Sequence, residues 1–483
     1  MKKGVYILLC LLLGQVSQLV AEAEMPALKI EQNKQLFADD YIIEKLQNVY
    51  RVMNQPVKYA GNPLLELNPQ QKPGSDDLIV VSGTVLFDQQ ESLFKMWYEG
   101  ANYNWDHNVL CYAYSKDGLH WELPDLGLIE YQKSKQNNIV FEKGVGEMAP
   151  AVMKDPVTQD ASRRYKLLYK RAGLGWPLQG INTAYSSDGV HWERWYEEDV
   201  IEKSDSPNSV LWDAKMQKYI AHTREWEGGK KTRVVLQSES EDFINWKRKK
   251  VIMRPDEQDP PGRQFYNMEW MPYEGVNFGF LAVYDVNKGP AWDKVNIQLC
   301  YSRDGWNWSR MGERQPFIEN GAEPGMVDWG QIYVMQKPIV VGDEIWIYYV
   351  GFKGLHWAIK NKELQGTSVN LCKIRSDGFV SLDAGGRGTV VTKPFVMSGD
   401  RLVVNANAAH DASVKVEILD ESYQAIEGFG LKDNGVLTGD DVRHEVTWNG
   451  SSDVSSLQKK RIRLRFHLDR SKLYSFVFVA EKP

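Results

Sequence analysis

The sequence has few cysteines, and those it has are scattered. Of the four cysteines in 483 residues, one lies in an apolar run near the start, which leaves Cys111, Cys300 and Cys372. An odd and sparse set of thiols does not form a disulfide framework, and no His/Cys/Asp spacing matches a zinc site. Each of the three lies just ahead of a repeated turn, so we predict that they are small, buried core residues.

Charge of one sign and long apolar runs are also lacking. The net charge is only -6, with 58 Lys and Arg against 64 Asp and Glu, so no nucleic-acid partner is expected. After the first residues no apolar run approaches the length of a membrane span, so no membrane insertion is expected. Nucleophile-elbow, phosphate-loop and dinucleotide motifs are absent, so no cofactor is expected, and nothing in the sequence indicates the oligomeric state.

The first residues have the pattern of a secretory signal peptide. Lys2 and Lys3 precede an apolar run, and Ala21-Glu22-Ala23 has the form of a cleavage site. We therefore expect a signal peptide at residues 1–23, a mature chain from Glu24, and a secreted or periplasmic protein.

What the chain does have is one turn, repeated. "SKDGLHW" around Asp117 recurs around Asp188, Asp242, Asp304 and, in degenerate form, Asp377, at intervals of 54 to 73 residues. Two further segments rich in aromatic and β-branched residues precede each turn, such as "SGTVLFD" and "FKMWYEG" in the first unit. Each unit therefore predicts four antiparallel strands. Five such units without a helical period indicate a five-bladed β-propeller.

The period stops near residue 385. The segments that follow alternate apolar and polar residues and are separated by Gly, Asp and Asn turns, a pattern typical of a small β-sandwich. The predicted class is therefore all-β, with a five-bladed propeller at residues 24–384 that would carry the catalytic site and a β-sandwich at residues 385–483.

Two acidic residues occupy the same place in neighbouring units. Glu147 precedes Asp155 by eight residues in unit two, and Asp205 precedes Asp213 by eight residues in unit three. Both positions are at the entrance of the innermost strand, which lines the central funnel of a propeller. Paired carboxylates are the usual equipment for hydrolysis of a glycosidic bond, because one protonates the leaving oxygen and the other acts on the sugar or on water.

A five-bladed propeller followed by a sandwich, with acids at the inner-strand entrances, resembles the superfamily of glycoside hydrolase families 32 and 43. More specifically, the chain resembles secreted bacterial proteins that are family 32- or 43-like. The residues that carry the resemblance are "LFADDYIIE" at 36–44, Arg164-Tyr165-Lys166, and the strand at 218–224. The resemblance covers essentially the whole mature chain and implies a glycosidase.

The resemblance also implies roles for the paired acids. The unit-two slot of family 32 carries an acid that stabilises the transition state, here Glu147, and the unit-three slot carries the general acid, here Asp205. The family's nucleophile motif in unit one is missing, because the slot falls near Val80 and the nearest acids are Asp76 and Asp77. Fructan hydrolysis is therefore not supported, and inversion is favoured over retention.

Further candidates come from the ends of the predicted strands. Glu269, inside the inner strand of unit four, and Asp328, at the entrance of unit five, are candidates for a third catalytic acid. A structural divalent cation such as calcium in the funnel is compatible with the histidines there. The candidate substrate-binding residues are Arg224, His107, His222, His356, Asp77, Trp105 and Arg171.

The leading hypothesis is a secreted glycoside hydrolase that acts from the chain end on an oligosaccharide derived from a polysaccharide. The first alternative is a non-catalytic propeller that binds carbohydrate, which the empty unit-one slot favours. A second is a scaffold for other proteins, since a fold alone does not determine function.

Overall fold

The computed structural model describes most of the chain. The described residues are 28–30, 33–67, 78–102, 107–142, 148–171, 180–229, 232–287, 292–356, 366–409 and 411–480, with the backbone alone at 206–208 and 248–249. The predicted signal peptide and three predicted site residues, Asp77, Trp105 and Glu147, lie outside the described residues.

The regular structure is almost entirely β-strand. The described residues form 35 strands, and their helical pieces are three short 3-10 turns at Ala161–Arg163, Gly312–Arg314 and Ser455–Leu457. No helix in these ranges is long and apolar enough to cross a membrane. The predicted all-β class is confirmed.

Six short strands come before the first repeated unit. They are β1 (Leu28–Ile30), β2 (Gln35–Leu36), β3 (Ile43–Gln47), β4 (Tyr50–Met53), β5 (Val57–Lys58) and β6 (Leu65–Glu66). They form no sheet of their own. Each pairs with a strand from much later in the chain.

Five antiparallel units then follow in chain order, and the first strand of each is its inner strand. Unit one contains β7 (Leu78–Asp88), β8 (Leu93–Ala101), β9 (Asn108–Ser115) and β10 (Ile139–Glu142). Unit two contains β11 (Ala151–Lys154), β12 (Tyr165–Lys170), β13 (Ile181–Ser186) and β14 (Trp192–Arg194). Unit three contains β15 (Asp205–Asp213), β16 (Lys218–Glu227), β17 (Thr232–Ser240) and β18 (Lys247–Met253).

Units four and five are built in the same way with shorter outer pieces. Unit four contains β19 (Arg263–Tyr273), β20 (Val276–Asp285) and β21 (Val295–Ser302), with β22 (Ser309–Arg310) and β23 (Pro316–Ile318) side by side along β21. The first strand of unit five is in two pieces, β24 (Gln331–Val334) and β25 (Ile339–Val341), which both pair with the second strand, β26 (Glu344–Phe352). The third strand is β27 (Thr367–Arg375).

The start of the chain supplies the outer strand of unit five. Strands β5 and β6 both pair antiparallel with β27, with Lys58 opposite Cys372 and Leu65 opposite Val369. The turn after β27 leads out of the propeller, so unit five has no outer strand of its own. The earlier segment therefore covers an edge that would otherwise expose unpaired backbone groups.

The side chain of Gln336, just after β24, bonds several inner strands together. Its backbone donates to Gly83 O (2.8 Å) and accepts from Val85 N (3.1 Å), both in β7. Its side chain accepts from Val210 N of β15 (2.8 Å) and donates to Val152 O of β11 (2.9 Å). One residue thus joins units one, two, three and five. These bonds tie the inner strands to one another at that depth.

The repeated turn is held by side chains. In unit one, Ser115 Oγ accepts from Gly118 N (2.9 Å), and Asp117 Oδ1 accepts from Leu119 N (2.8 Å) and His120 N (2.9 Å). In this turn only the glycine position has a positive φ, 75° at Gly118, because the aspartate caps the turn. The degenerate fifth turn differs, since its aspartate, Asp377, has a φ of 63°.

In units two, three and four the tryptophan that follows the turn lies at the start of the outer strand. Strand β14 begins at Trp192, and β18 and β22 each begin one residue after Trp246 and Trp308. Each of these three indoles donates to the carbonyl at the glycine position of its own turn, at 2.9 to 3.1 Å. The turn and the outer strand are therefore fixed to one another.

The three remaining cysteines are buried and free, as predicted. Cys111, Cys300 and Cys372 lie in β9, β21 and β27, the third strand of units one, four and five. They therefore occupy corresponding core positions in three units.

The C-terminal strands form two facing six-stranded sheets around a separate apolar core. The strands are β28 (Val380–Asp383), β29 (Arg387–Thr392), β30 (Phe395–Met397), β31 (Arg401–Ala408), β32 (Ser413–Leu419), β33 (Gly439–Glu445), β34 (Arg461–Asp469) and β35 (Lys472–Val479).

The domain boundary in the structure differs from the one predicted from the sequence. Strands β1 to β4, which we assigned to the propeller, pair with sandwich strands, and β28 belongs to the sandwich although it precedes residue 385. The sandwich therefore consists of both ends of the chain. The sequence concealed this because the N-terminal strands are short and lie far from their partners.

Asp377, in the degenerate fifth turn, joins the two domains. Its buried carboxylate accepts from Tyr273 Oη of unit four (2.6 Å) and from Lys34 Nζ (3.0 Å). It also accepts from Asn405 Nδ2 (2.9 Å) and Ser475 Oγ (2.7 Å) of the sandwich. In the other turns the corresponding aspartate caps its own turn, whereas Asp377 bonds to residues of both domains.

Candidate functional site

A buried carboxylate opens the inner strand of unit three. Asp205 is 5% exposed, and its Oδ2 accepts from Arg224 Nε (3.0 Å), Arg224 Nη2 (2.7 Å) and Trp226 Nε1 (2.8 Å). Its Oδ1 accepts from Lys170 Nζ of unit two (3.0 Å). Charge-assisted hydrogen bonds from two cations stabilise the ionised form of a carboxylate.

Strand pairing explains this arrangement. Asp205 lies directly opposite Arg224 in the pairing of β15 with β16, and Trp226 lies opposite Arg233 in the pairing of β16 with β17. Since alternate residues of a strand share a face, these four side chains lie on the same face of the sheet. That face meets the inner strand of unit four.

Aromatic rings from units three and four cover the two arginines. The Arg224 guanidinium lies 4.3 Å from the centroid of the Tyr266 ring, and that of Arg233 lies 4.3 Å from the Trp226 ring. The Tyr266 hydroxyl is 3.2 Å from Nε2 of His356, which comes from unit five. Three units thus contribute to a cluster of cations and aromatic faces beside Asp205.

Another buried carboxylate holds the chain where the described residues resume after Glu147. Glu99, at the end of β8, accepts from Met148 N (2.6 Å), Ala149 N (2.9 Å) and Asn108 Nδ2 (2.7 Å). It is fully buried. Its oxygens bond to the backbone at the entrance of unit two, so Glu99 acts as a structural group there.

The contacts of Asp205 bear on the role that the family resemblance implies for it. A general acid must carry a proton before the reaction, whereas Lys170, Arg224 and Trp226 all donate to this carboxylate. These contacts favour an ionised Asp205 that acts as a base or stabilises positive charge. They do not favour a proton donor.

Glu269 lies in β19, the inner strand of unit four, and is buried like Asp205. It is 3% exposed, and its hydrogen-bond neighbour is Asn267, whose Nδ2 lies 3.4 Å from Oε1. Burial raises the pKa of the Glu269 carboxyl to about 8, so the group is neutral at pH 7. The side chain shares no contact with Asp205. Its role as a third catalytic acid stays a prediction.

Asp328 is committed elsewhere. Its Oδ2 lies 2.6 Å from Lys58 Nζ of the outer strand of unit five and accepts from Tyr349 Oη (2.8 Å) of the second strand. The carboxylate is 1% exposed and packs within its own unit. The structure does not bring Asp328 to Asp205, because its partners hold it against the sheet of unit five.

The histidines predicted to bind substrate are dispersed. His356 reaches the cluster through Tyr266. His222 is buried against the Trp270 ring (5.1 Å between centroids), and burial lowers its pKa to about 4. His107 stacks on Tyr131 in unit one, with 4.1 Å between ring centroids.

Arg171, a predicted substrate-binding residue, does not face Asp205, but the residue before it does. It lies 3.6 Å from Asp199 Oδ1, whereas the preceding residue, Lys170, bonds to Asp205. The alternation along β12 determines this choice, since adjacent residues point to opposite faces. Arg224 was predicted, but Lys170, Trp226, Arg233 and Tyr266 were not. Continuing the alternation from Arg224 would have found Trp226.

Among the described residues, no three His, Cys, Asp or Glu side chains are grouped so as to hold a metal ion. A structural cation in the funnel therefore stays a prediction.

No family model and no curated protein matches the sequence. Solved structures do show similarity. A glycoside hydrolase matches at 14% identity and a TM-score of 0.46, over 66% of this chain and 92% of that one. An N-acetylgalactosamine deacetylase from F. plautii, in complex with blood group B trisaccharide, matches at 14% identity and 0.45, over 67% and 95%.

A third similar structure is the family 32 β-fructofuranosidase of Bombyx mori, at 10% identity and a TM-score of 0.42, over 86% of this chain and 96% of that one. Values this low assign no activity to the chain. The function must therefore be argued from the site itself.

Proposed function

We propose that this protein is a secreted glycoside hydrolase whose reaction centre lies at the entrance of the inner strands of units two and three. The observation that carries the proposal is Asp205, a buried carboxylate that Lys170 and Arg224 hold in a single orientation. A preorganised carboxylate flanked by the Trp226 and Tyr266 rings has the charge and the apolar faces that a sugar site needs.

The proposed mechanism is inversion by Glu147 and Asp205. The ionised Asp205 takes a proton from the water that attacks the anomeric carbon, and Glu147 gives its proton to the leaving glycosidic oxygen. Assigning Asp205 as the base follows from the two cations that stabilise its ionised form. This reverses the role that the family resemblance implies for it. Lys170 and Arg224 would act as positioning residues.

Exo-action is part of the same proposal. Gln336 bonds to three other units across the inner strands, and we infer from these bonds that a polysaccharide does not thread through the centre of the propeller. A closed funnel suits release of one or a few sugars from a chain end. Early products of uniform, short length would support exo-action, whereas a broad range of long products would contradict it.

Replacement of either acid should abolish most of the activity. We expect Asp205→Asn and Glu147→Gln each to lower kcat/KM by roughly 100-fold or more on a substrate that the wild type cleaves, the usual contribution of acid–base catalysis. Asp328→Asn is a control outside the proposed pair. Wild-type rates in both active-site variants would refute the assignment, and NMR of the first-formed anomer would test inversion.

A second function has one observation in its favour. Both oxygens of Asp205 already accept hydrogen bonds from Lys170, Arg224 and Trp226, so the site is complete as a static, carbohydrate-binding surface. A non-catalytic binding propeller would bind sugars and form no product, even after long incubation. Product analysis therefore separates the two functions.

The proposal includes export of the protein by its N-terminal signal peptide. The basic start, the apolar run and the Ala-Glu-Ala site would deliver the mature chain to the outside of the cell or the periplasm. Mass spectrometry of the protein from an exporting host should find an N-terminus at or near Glu24.

A further inference from the structure

Among the residues that the structure describes, positive charge exceeds negative charge beside Asp205. Lys170 and Arg224 bond to the Asp205 carboxylate, and Arg233 adds a third cation to the same face. Alternation along β16 turns the next acid, Glu225, to the opposite face. The described part of the cluster therefore carries more cations than anions.

Arg233 is held by rings and an amide, and no described carboxylate bonds to it. Its Nη1 donates to Gln264 Oε1, and its guanidinium lies 4.3 Å from the Trp226 centroid, 5.3 Å from Tyr266 and 5.4 Å from Tyr284. Within the described part of the chain, Nε of Arg233 has no hydrogen-bond partner.

The surroundings make this cation unfavourable without a ligand. Burial, and then the positive charge of Arg224, lower the pKa of Arg233 below its ordinary value. Asp205 acts on it from a distance, but Arg224, Trp226 and Lys170 already occupy that carboxylate. A partly buried charge without a close partner destabilises the folded chain unless a counter-ion binds.

We propose that Arg233 binds the anionic group of a charged sugar, a carboxylate or a sulfate ester. The inference rests on the proposed function in taking the ligand to be a carbohydrate. Arginine suits this role because its planar donors match such groups in pairs. Trp226 and Tyr266 offer faces on which the sugar ring can lie. Arg224, the sequence-based candidate for this contact, uses Nε and Nη2 on Asp205.

Calorimetric titration of the full mature chain tests the proposal with three probes: galacturonate, galactose 6-sulfate and neutral galactose. At least one anionic sugar should bind roughly tenfold or more tightly than galactose, with an affinity that falls as salt rises. Which of the two binds identifies the anionic group. Arg233→Gln should weaken that binding by about tenfold or more, and Arg233→Lys by less, since it keeps the charge but not the paired donors.

Two further measurements separate a binding role from a structural one. Without ligand, Arg233→Gln should be at least as stable to heat as the wild type, because it removes an unfavourable charge. The anionic sugar should raise Tm in the wild type and not in the variant. Arg387→Gln, which removes a highly exposed arginine from the sandwich, is the matched control and should bind as the wild type does.

Equal binding of galactose and the anionic sugars, no binding of either anionic sugar, or unchanged binding by Arg233→Gln would overturn the inference. Its failure is distinct from failure of the proposed function. Binding of an anionic sugar without hydrolysis would leave the role of Arg233 intact. Hydrolysis of an anionic oligosaccharide by Arg233→Gln with the kcat/KM of the wild type would leave the glycosidase intact and refute the role of Arg233.

Discussion

Asp377→Asn should destabilise the protein by roughly 3 kcal/mol, close to the loss measured when one member of a buried ion pair is removed. The carboxylate accepts from Lys34, Tyr273, Asn405 and Ser475, and its side chain is fully buried. The NH2 group of an asparagine would face groups that donate to the carboxylate in the wild type, and Lys34 would lose the charge of its partner. Asparagine also tolerates the positive φ of 63° at this position, so the substitution tests the charge with little backbone strain.

Asp117→Asn is the matched control because it changes the same position of the turn in unit one. The Asp117 side chain is half exposed and bonds within its own turn, so a loss of about 1 kcal/mol is expected. Urea denaturation at pH 7, followed by tryptophan fluorescence, measures both variants. Equal losses at the two positions would show that Asp377 contributes no more than a local turn.

Glu269→Gln should be more stable than the wild type at pH 8 and similar to it at pH 4.5. The ordinary pKa of a glutamate is 4.5, and burial raises that of Glu269 to about 8. Between these values the folded chain keeps a proton that the unfolded chain has released. The free energy of unfolding of the wild type therefore falls as pH rises through this window and levels off above it. The shift of the Glu269 pKa from 4.5 to about 8 corresponds to a loss of roughly 5 kcal/mol in the free energy of unfolding, most of which is reached by pH 8.

A glutamine at position 269 does not titrate, so the free energy of unfolding of the variant has no contribution from this group at any pH. The difference between wild type and variant isolates Glu269 from other titrating groups, including the buried His222, whose lowered pKa of about 4 makes stability rise with pH up to its ordinary value of 6.5. Glu241→Gln, at an exposed position, should stay within about 0.5 kcal/mol at both pH values. Parallel pH profiles for wild type and Glu269→Gln would contradict the prediction.

The part of the candidate site that could be predicted is the part that repeats. Asp205 was found because it stands at the same offset in its unit as Glu147 does in the previous one, and Arg224 because it ends an apolar strand. Lys170 was missed in favour of Arg171, since one residue along a strand changes the face. Asp328 was misplaced because its partner Lys58 comes from a segment whose pairing with unit five the sequence does not reveal, and Tyr349 of its own unit also holds it.

The sequence by itself determined the all-β class, the repeated unit and the buried positions of the cysteines. These features depend on contacts between residues near one another in the chain. Only the tertiary structure decided that both chain ends build the sandwich, that Gln336 joins four units, that Asp377 links the domains, and that Arg233 bonds to no carboxylate among the described residues. Each of those depends on residues far apart in sequence that meet only when the ring closes, and burial and pairing in three dimensions set their charge states.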